Sequence, residues 1–387
     1  MENLNDHSLS FGIYLNFLLL IYLSYKSYTS KIISREILYL FILTCLGPIL
    51  FHNFALIDSI FPDQGGYFDN IREYRVNRDL STLRHSDTNK YLTLILSIIP
   101  IPSVENMYGA TFLNKFLLIF FLIYLIKFNY IKNNQAIIIL LYPSLFLYSS
   151  LMLKETTIIF FLTISYILLV RDKYLFSLLC LFLVSTIKPH LSILFGIAYV
   201  FYIIQFKAKI RFKYICLAIF FIGFVLYLEK DLLRNLLSQL NLFIYNFYLE
   251  DHGYNIEKHG YTKELIKFDL SSIFFVILQS LTFWLKPLFY NAENLSQMIQ
   301  SFENILVLVV MMYYLKKLYA KNIAKTYYII LSALFVSAPY ALIVANVGTL
   351  ARYRFSIVFI FILIIFFELN RTKKEINLLH YLTKKKL

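Results

Sequence analysis

The chain has 387 residues, 59% of them hydrophobic, with a mean hydropathy of +0.66 and a net charge of +14. A soluble fold of this length cannot hide so much apolar surface. The charge does not indicate nucleic acid either, because Lys and Arg are scattered through short stretches between apolar runs. With ten Gly and eight Pro there are few flexible linkers, so residues 1–387 read as a single integral membrane domain.

In chain order, apolar runs set against basic loops predict about eleven crossings, with the span requirement of ~20 residues applied loosely. They fall at 9–25, 37–57, 111–127, 136–153, 155–170, 174–188, 190–206, 214–229, 301–315, 326–345 and 353–369. Glu2 and Asp6 precede the first run, where a secretory signal peptide carries basic residues. Lys26, Lys31 and Arg35 follow it instead, which sets the N-terminus outside. Every other connection then carries the positive charge expected of a cytoplasmic loop. These are Lys127/Lys132, Arg171/Lys173, Lys207/Lys209/Arg211/Lys213, Lys316/Lys317/Lys321/Lys325 and a basic tail from Arg371 to Lys386. The C-terminus is therefore expected in the cytoplasm. The runs 116–126 and 355–367 are apolar all round, as expected of segments facing lipid.

Two hydrophilic stretches, about 58–90 and 229–270, become outer loops, and the second holds seven acidic residues against five Lys or Arg. Two apolar segments do not fit as crossings. Residues 91–101 are too short and run into Pro100-Ile101-Pro102, and a crossing at 271–290 would move the basic 316–325 loop outside. Both are expected to be re-entrant or interfacial helices on the outer face, around a cavity open to that side. The fold expected is thus an all-α polytopic membrane protein with these two extra segments. Cys45, Cys180 and Cys216 lie in apolar segments and read as packed or lipid-facing thiols.

Five cations do not belong to the basic side. Lys154, Lys188, Lys286, Arg352 and Arg354 end apolar segments on the opposite face. A charge at membrane depth costs about 2.5–3.5 kcal/mol on insertion scales, and a single lysine at a helix end escapes this by snorkelling. Five at one level, in Lys154-Glu155, Lys188-Pro189-His190, Lys286-Pro287 and Arg352-Tyr353-Arg354, point instead to a shared polar cavity for an anion. Arg supplies a planar fork for phosphate oxygens and Lys a compact charge. Glycosyl transfer with a lipid-pyrophosphate leaving group needs such cations, plus one carboxylate or His to take a proton from the acceptor hydroxyl. It calls for no cofactor and no metal. Candidate bases are Glu155 and Asp69 first, then Asp63, His190 and Glu303. The first outer loop adds Tyr67, Arg72, Glu73 and Arg75, and Glu293 follows Lys286. Tyr67 and Trp284 are the aromatic residues placed to stack on a sugar ring. No nucleotide-binding glycine loop, zinc spacing or nucleophile elbow occurs.

At these residues the chain resembles the bacterial O-antigen or capsular repeat-unit polymerases (Wzy-type) and related polysaccharide-assembly membrane proteins. The resemblance rests on Lys154-Glu155, Ile187-Lys188-Pro189-His190, Lys286-Pro287 with Glu303, and Gly348-Thr349 with Arg352-Tyr353-Arg354. It implies a multi-pass enzyme of the bacterial inner membrane that joins oligosaccharide repeats carried on undecaprenyl pyrophosphate at the periplasmic face. A flippase and a chain-length regulator would be its partners. Lys154, Lys188, Lys286, Arg352 and Arg354, with Arg72 and Glu303, would hold the substrate. One departure is that the later outer loop, 229–270, has Arg234 as its single arginine, where such polymerases often carry Arg-rich patterns. The stretch 63–75 also resembles the first outer loop of GT-C glycosyltransferases that use polyprenyl-phosphate sugars, which is the alternative enzyme. The alternative from another class is a polysaccharide flippase, against which stands the scarcity of charge at mid-helix.

Overall fold

The computed structural model describes residues 11–51, 63–77, 87–101, 107–208, 238, 270–292, 294–344 and 347–371. The predicted crossing at 214–229, the outer loop 229–270 apart from Ser238 and Leu270, Glu293, Lys209, Arg211, Lys213, Cys216 and the tail beyond Arg371 lie outside the described residues. No strand occurs among the described residues. The internal contacts gather into two compact units. Unit 1 comprises Met1–Ile193, Tyr314–Lys321 and Val358–Leu387, and unit 2 comprises Leu194–Tyr313 and Asn322–Ile357.

Unit 1 contains α1 (Phe11–Thr29), α2 (Arg35–Cys45), α3 (Gly47–Phe51), α4 (Asp63–Asn77), α5 (Asp87–Ser97), α6 (Met107–Lys127), α7 (Asn133–Leu140), α8 (Pro143–Ser149), α9 (Glu155–Val170) and α10 (Tyr174–Ile187). Helix α6 is its centre and packs against α1, α2, α3, α4, α7, α8 and α9. The tightest pairing is α9 with α10. There Ser165 Oγ donates to the Ser177 carbonyl at 2.8 Å and Ser177 Oγ returns the bond to the Ser165 carbonyl at 2.9 Å. Small hydroxyl residues at such a seam let two backbones approach closely in an apolar setting. Helix α11 (Pro189–Tyr202) starts in unit 1 and continues through a π turn, Ile203–Lys207. Unit 2 pairs α12 (Leu270–Phe283) with α14 (Ile323–Ile343). The long helices α13 (Leu295–Lys321) and α15 (Val347–Asn370) contribute residues to both units.

Among the described residues, five helical stretches are long and apolar enough to cross a membrane: Gly109–Lys127, Pro189–Lys207, Gln297–Lys321, Ile323–Leu342 and Gly348–Asn370. Helices α9 and α10, with 16 and 14 residues, fall short of a ~30 Å hydrocarbon core at 1.5 Å per residue.

Several expectations change. The single crossing at 136–153 is two helices, because Pro143 cannot continue α7 and the preceding Tyr142 is extended (φ −74°, ψ 111°). The segment 37–57 is broken at Leu46 into α2 and α3. The basic loop at 316–325 is helical: α13 runs through Lys321 and α14 begins at Ile323. Only Asn322 separates them, and its side chain caps α14 by accepting from the Lys325 amide at 3.0 Å. Helix α15 begins at Val347, so Arg352 and Arg354 ride in its second turn. The run 355–367 does not present an outer face: every residue from Phe355 to Phe367 is buried. The run 116–126 is mostly buried and exposes Phe120. The exposed apolar faces belong to other helices, with Leu175, Leu178 and Phe182 on α10 and Leu295, Val309 and Met312 on α13. A helix that is apolar all round fits a protein core as well as a bilayer.

The basic connections of unit 1 meet at one end. Lys321 Nζ donates to the final carbonyls of α15, at Glu368, Leu369 and Arg371 (3.2, 2.7 and 2.8 Å), the usual place for a cation at a helix C-terminus. Asn370 Nδ2 donates to the Tyr130 carbonyl and to Gln135 Oε1, and the Arg171 guanidinium lies 4.8 Å from the Tyr130 ring centre. Inside, the Tyr166 hydroxyl donates to Glu368 Oε1 at 2.9 Å.

Candidate functional site

Helix α9 separates this basic end of unit 1 from a second polar region. Glu155 opens the helix and Arg171 closes it, about 24 Å apart for sixteen residues at 1.5 Å each. Between α8 and α9 the chain is irregular over 150–154, where backbone groups have no helical ladder to satisfy them. Side chains from other helices take over. Asn114 of α6 donates both Nδ2 protons, to the carbonyls of Leu151 at 2.7 Å and Leu153 at 2.8 Å. Gln64 of α4 accepts the Met152 amide through Oε1 at 3.0 Å.

Next to Asn114 lies the residue that loop-by-loop charge counting passes over. Lys115 is fully buried nine residues into α6. Its Nζ donates to Ser149 Oγ at 2.8 Å and to the Phe146 carbonyl at 3.3 Å, and sits 5.1 Å from the Phe146 ring centre. Ser149 and Ser150 in turn donate to the carbonyls of Leu145 and Phe146. The ammonium therefore meets the carboxyl end of α8, where the helix dipole favours a cation, and the aromatic face adds a cation–π contribution. The signal was available in the sequence, as Asn114-Lys115 is a polar pair inside an apolar run.

Gly47 is where this corner closes. A Cβ added there would collide with the Ser150 side chain and stand 3.4 Å from Lys115 Nζ. Gly47→Ala is therefore expected to cost about 1–3 kcal/mol by overpacking. Ser150→Ala in the same chain should return part of that, because the hydroxyl oxygen is the worst contact. Thermal denaturation of the detergent-solubilised single and double variants checks this.

Of the residues singled out from sequence, unit 1 holds Lys154, Glu155, Lys188, His190, Asp63, Asp69 and Arg72. Lys154 is half-buried at the N-cap position of α9, and Glu155 is fully buried in its first turn, where the helix dipole favours a carboxylate. Lys188 is 2% exposed at the C-cap of α10, just before Pro189 starts α11. The exposed His190 follows it. Because α9 and α10 pack as an antiparallel pair with Ser165 opposite Ser177, Lys154 and Lys188 lie at the same end of that pair. Asp69 and Arg72 are exposed on α4. Asp63 begins that helix, with its side chain outside what is described. Arg75 is structural: it donates to the carbonyls of Ile101 (2.7 Å) and Ile99 (3.1 Å) and ties α4 to the end of α5.

Unit 2 holds Lys286, Glu303, Arg352 and Arg354. Lys286 Nζ donates to Gln279 Oε1 at 3.0 Å, and partial burial draws its ammonium below the usual lysine range. The segment after α12 is pinned by Asn304 Nδ2, which donates to the carbonyls of Leu285 and Lys286. Trp284 donates its Nε1 proton to Ser337 Oγ at 3.2 Å. Glu303 and Arg354 are buried and Arg352 is half-buried. Trp284 and Tyr67 are buried as well, so neither presents a ring face to a sugar. Among the described residues no group of three His, Cys, Asp or Glu side chains is placed to hold a metal ion.

No family model, curated protein or solved structure matches the chain. What its own residues define is an all-helical protein with, among the described residues, five helices long and apolar enough to cross a membrane, with basic connections gathered at one end of unit 1 and a buried polar region at the other.

Proposed function

We propose that this chain is a membrane glycosyltransferase that polymerises oligosaccharide repeats carried on a polyprenyl pyrophosphate, with its basic end in the cytoplasm and its chemistry on the outer face of the bacterial inner membrane. The observation that carries the reading is that Lys154 and Lys188, with Glu155 and His190 beside them in sequence, lie at one end of the antiparallel α9–α10 pair, away from the basic connections. Two cations at one end of a helix pair are suited to a pyrophosphate. A carboxylate and an imidazole beside them supply a proton acceptor.

In the reaction, a hydroxyl oxygen of the acceptor repeat bonds to the anomeric carbon of the growing chain. The bond from that carbon to the pyrophosphate oxygen breaks and its electron pair leaves on polyprenyl pyrophosphate. The hydroxyl proton passes to Glu155 or His190, the proton acceptors that adjoin Lys154 and Lys188 along the chain. Lys154 and Lys188 bear on the charge that grows on the leaving oxygen, the moment at which fixed cations accelerate the step. Asp69, exposed on α4, is the next candidate base.

Deleting the gene in a strain that makes lipopolysaccharide should leave lipid A core with a single repeat, and the wild-type gene should restore long chains. An unchanged chain-length distribution in the deletion would sink the reading. Chains of normal length lacking one sugar or branch would favour the GT-C alternative, and glycan trapped on the cytoplasmic side would favour a flippase.

A further inference from the structure

At the basic end, unit 1 forms an open cleft of about 610 Å³ that the glycan chemistry does not use. Its walls are the ends of three elements: Lys31 and Ile32 after α1, Ile126, Lys127 and Asn129 at the end of α6, and Ile131 to Asn134 leading into α7. The geometry is specified by the backbone. Lys31 and Asn129 both adopt left-handed conformations (φ 57° and 56°), which stop their helices and fold the chain back over the last turn. The Ile32 amide then donates to the Ser27 carbonyl at 3.0 Å and the Tyr130 amide to the Leu125 carbonyl at 2.8 Å. Three ammonium groups, on exposed Lys31, Lys127 and Lys132, are thereby directed to one space. Among the described residues none of the three forms an ion pair. Asn129, Asn133 and Asn134 add uncharged donors, and the opening of α7 adds backbone amides, with no side-chain oxygen of Lys132 available to cap them.

Unpaired like charges around one cleft repel each other, and an anion with several oxygens relieves that repulsion. The surroundings say where the anion comes from. Beside the cleft, Leu18, Tyr22, Tyr25 and Tyr28 form an exposed stripe along the last turns of α1, and Phe128 is exposed at the end of α6. From residue 18 to residue 28 the helix rises about 15 Å, half of a ~30 Å hydrocarbon core and so the depth of one leaflet. Tyrosines at the inner end of such a stripe suit the headgroup level.

We propose that this cleft binds the phosphate headgroup of an anionic phospholipid from the cytoplasmic leaflet, with an acyl chain lying along the α1 stripe. The proposal rests on the membrane orientation given above and not on the glycan chemistry. The two ends of unit 1 share no residue, so their failures are distinguishable: one is read as bound lipid, the other as glycan chain length.

The test uses the full chain purified in detergent, titrated with phosphatidylglycerol or phosphatidylcholine of the same acyl chains and examined by native mass spectrometry. Wild-type protein should retain one phosphatidylglycerol, preferred over phosphatidylcholine by about tenfold or more, since each basic side chain near an anionic surface contributes roughly a factor of five. The triple variant Lys31→Gln, Lys127→Gln, Lys132→Gln should lose that preference, and Lys→Arg at the same three positions should keep it, which separates lost charge from lost folding. Equal retention of both lipids by the wild type, or an undiminished preference in the glutamine variant, would overturn the proposal. Inorganic pyrophosphate, added without lipid, should bind more weakly than phosphatidylglycerol, because it gains nothing from the stripe. Binding of equal strength would overturn the lipid assignment in favour of a soluble anion.

Discussion

Replacing Asn114 by leucine should destabilise unit 1 by roughly 2–4 kcal/mol, more than any other single change at its polar end. The amide group is the side-chain donor to two buried carbonyls, those of Leu151 and Leu153. Leucine has the same branching and number of heavy atoms but bulkier methyl groups, so the pair of hydrogen bonds is lost and some overpacking adds to the cost. The Leu151 carbonyl keeps a second donor in the Leu153 amide at 2.9 Å, which is why the expected cost lies below twice the full penalty for an orphaned buried group, about 1–3 kcal/mol each. Asn114→Asp should be worse, since a carboxylate oxygen would then face carbonyl oxygens in a dry interior. The measurement is the temperature at which half of the solubilised protein disappears from the folded peak in size-exclusion chromatography. A drop of several degrees for leucine and a larger one for aspartate is expected. Equal stability of all three proteins would mean that residues 150–154 are held by something else, with Gln64 the next candidate.

Much of this architecture is local and so could be read from the residues in order. Proline fixes where α8 and α11 begin, and the dipole preference of a carboxylate places Glu155 at the start of α9. Length and apolarity mark α6, α14 and α15 as able to cross a membrane. What composition does not encode is which apolar helix faces protein and which faces lipid. Residues 355–367 and the outer face of α10 have equally apolar sequences, yet the first is buried throughout and the second exposes Leu175, Leu178 and Phe182. The stretch around Lys316, Lys317 and Lys321 looked like a loop because its charges were weighed as topology signals, although Leu, Lys and Ala are all good helix formers. Lys115 escaped for a related reason. Its partners lie in α8, and nothing in either segment announces that α6 will meet the end of that short helix. Grouping five cations by their level along the chain was likewise a statement about topology. The division of two to unit 1 and three to unit 2 depends on tertiary packing, to which spacing is blind.

Lys188→Met is the substitution expected to reduce activity most. Methionine matches the length and apolar bulk of the stem, so the packing of the α10–α11 turn is kept, and abundance in the membrane is measured beside activity to separate the two effects. If the ammonium bonds a pyrophosphate oxygen, its loss removes a charge-assisted interaction worth about 1.5–3 kcal/mol, or roughly 10- to 150-fold in rate. Because charge on that oxygen grows as the glycosidic bond breaks, the reduction should fall mainly on kcat, with KM little changed. Lys154→Met should act in the same direction and less strongly, because Lys154 is half-buried while Lys188 is 2% exposed. The double variant should lose less than the product of the two single losses, as expected for neighbours that share one anion. Lys188→Arg keeps the charge but changes its shape and reach, so partial activity is expected. In cells the readout is the ladder of glycan chain lengths, collapsing towards a single repeat for Lys188→Met and shortening for Lys154→Met. A full-length ladder from Lys188→Met at normal abundance would make Lys188 a packing residue of the α10–α11 turn, and the pyrophosphate would have to be held by other cations.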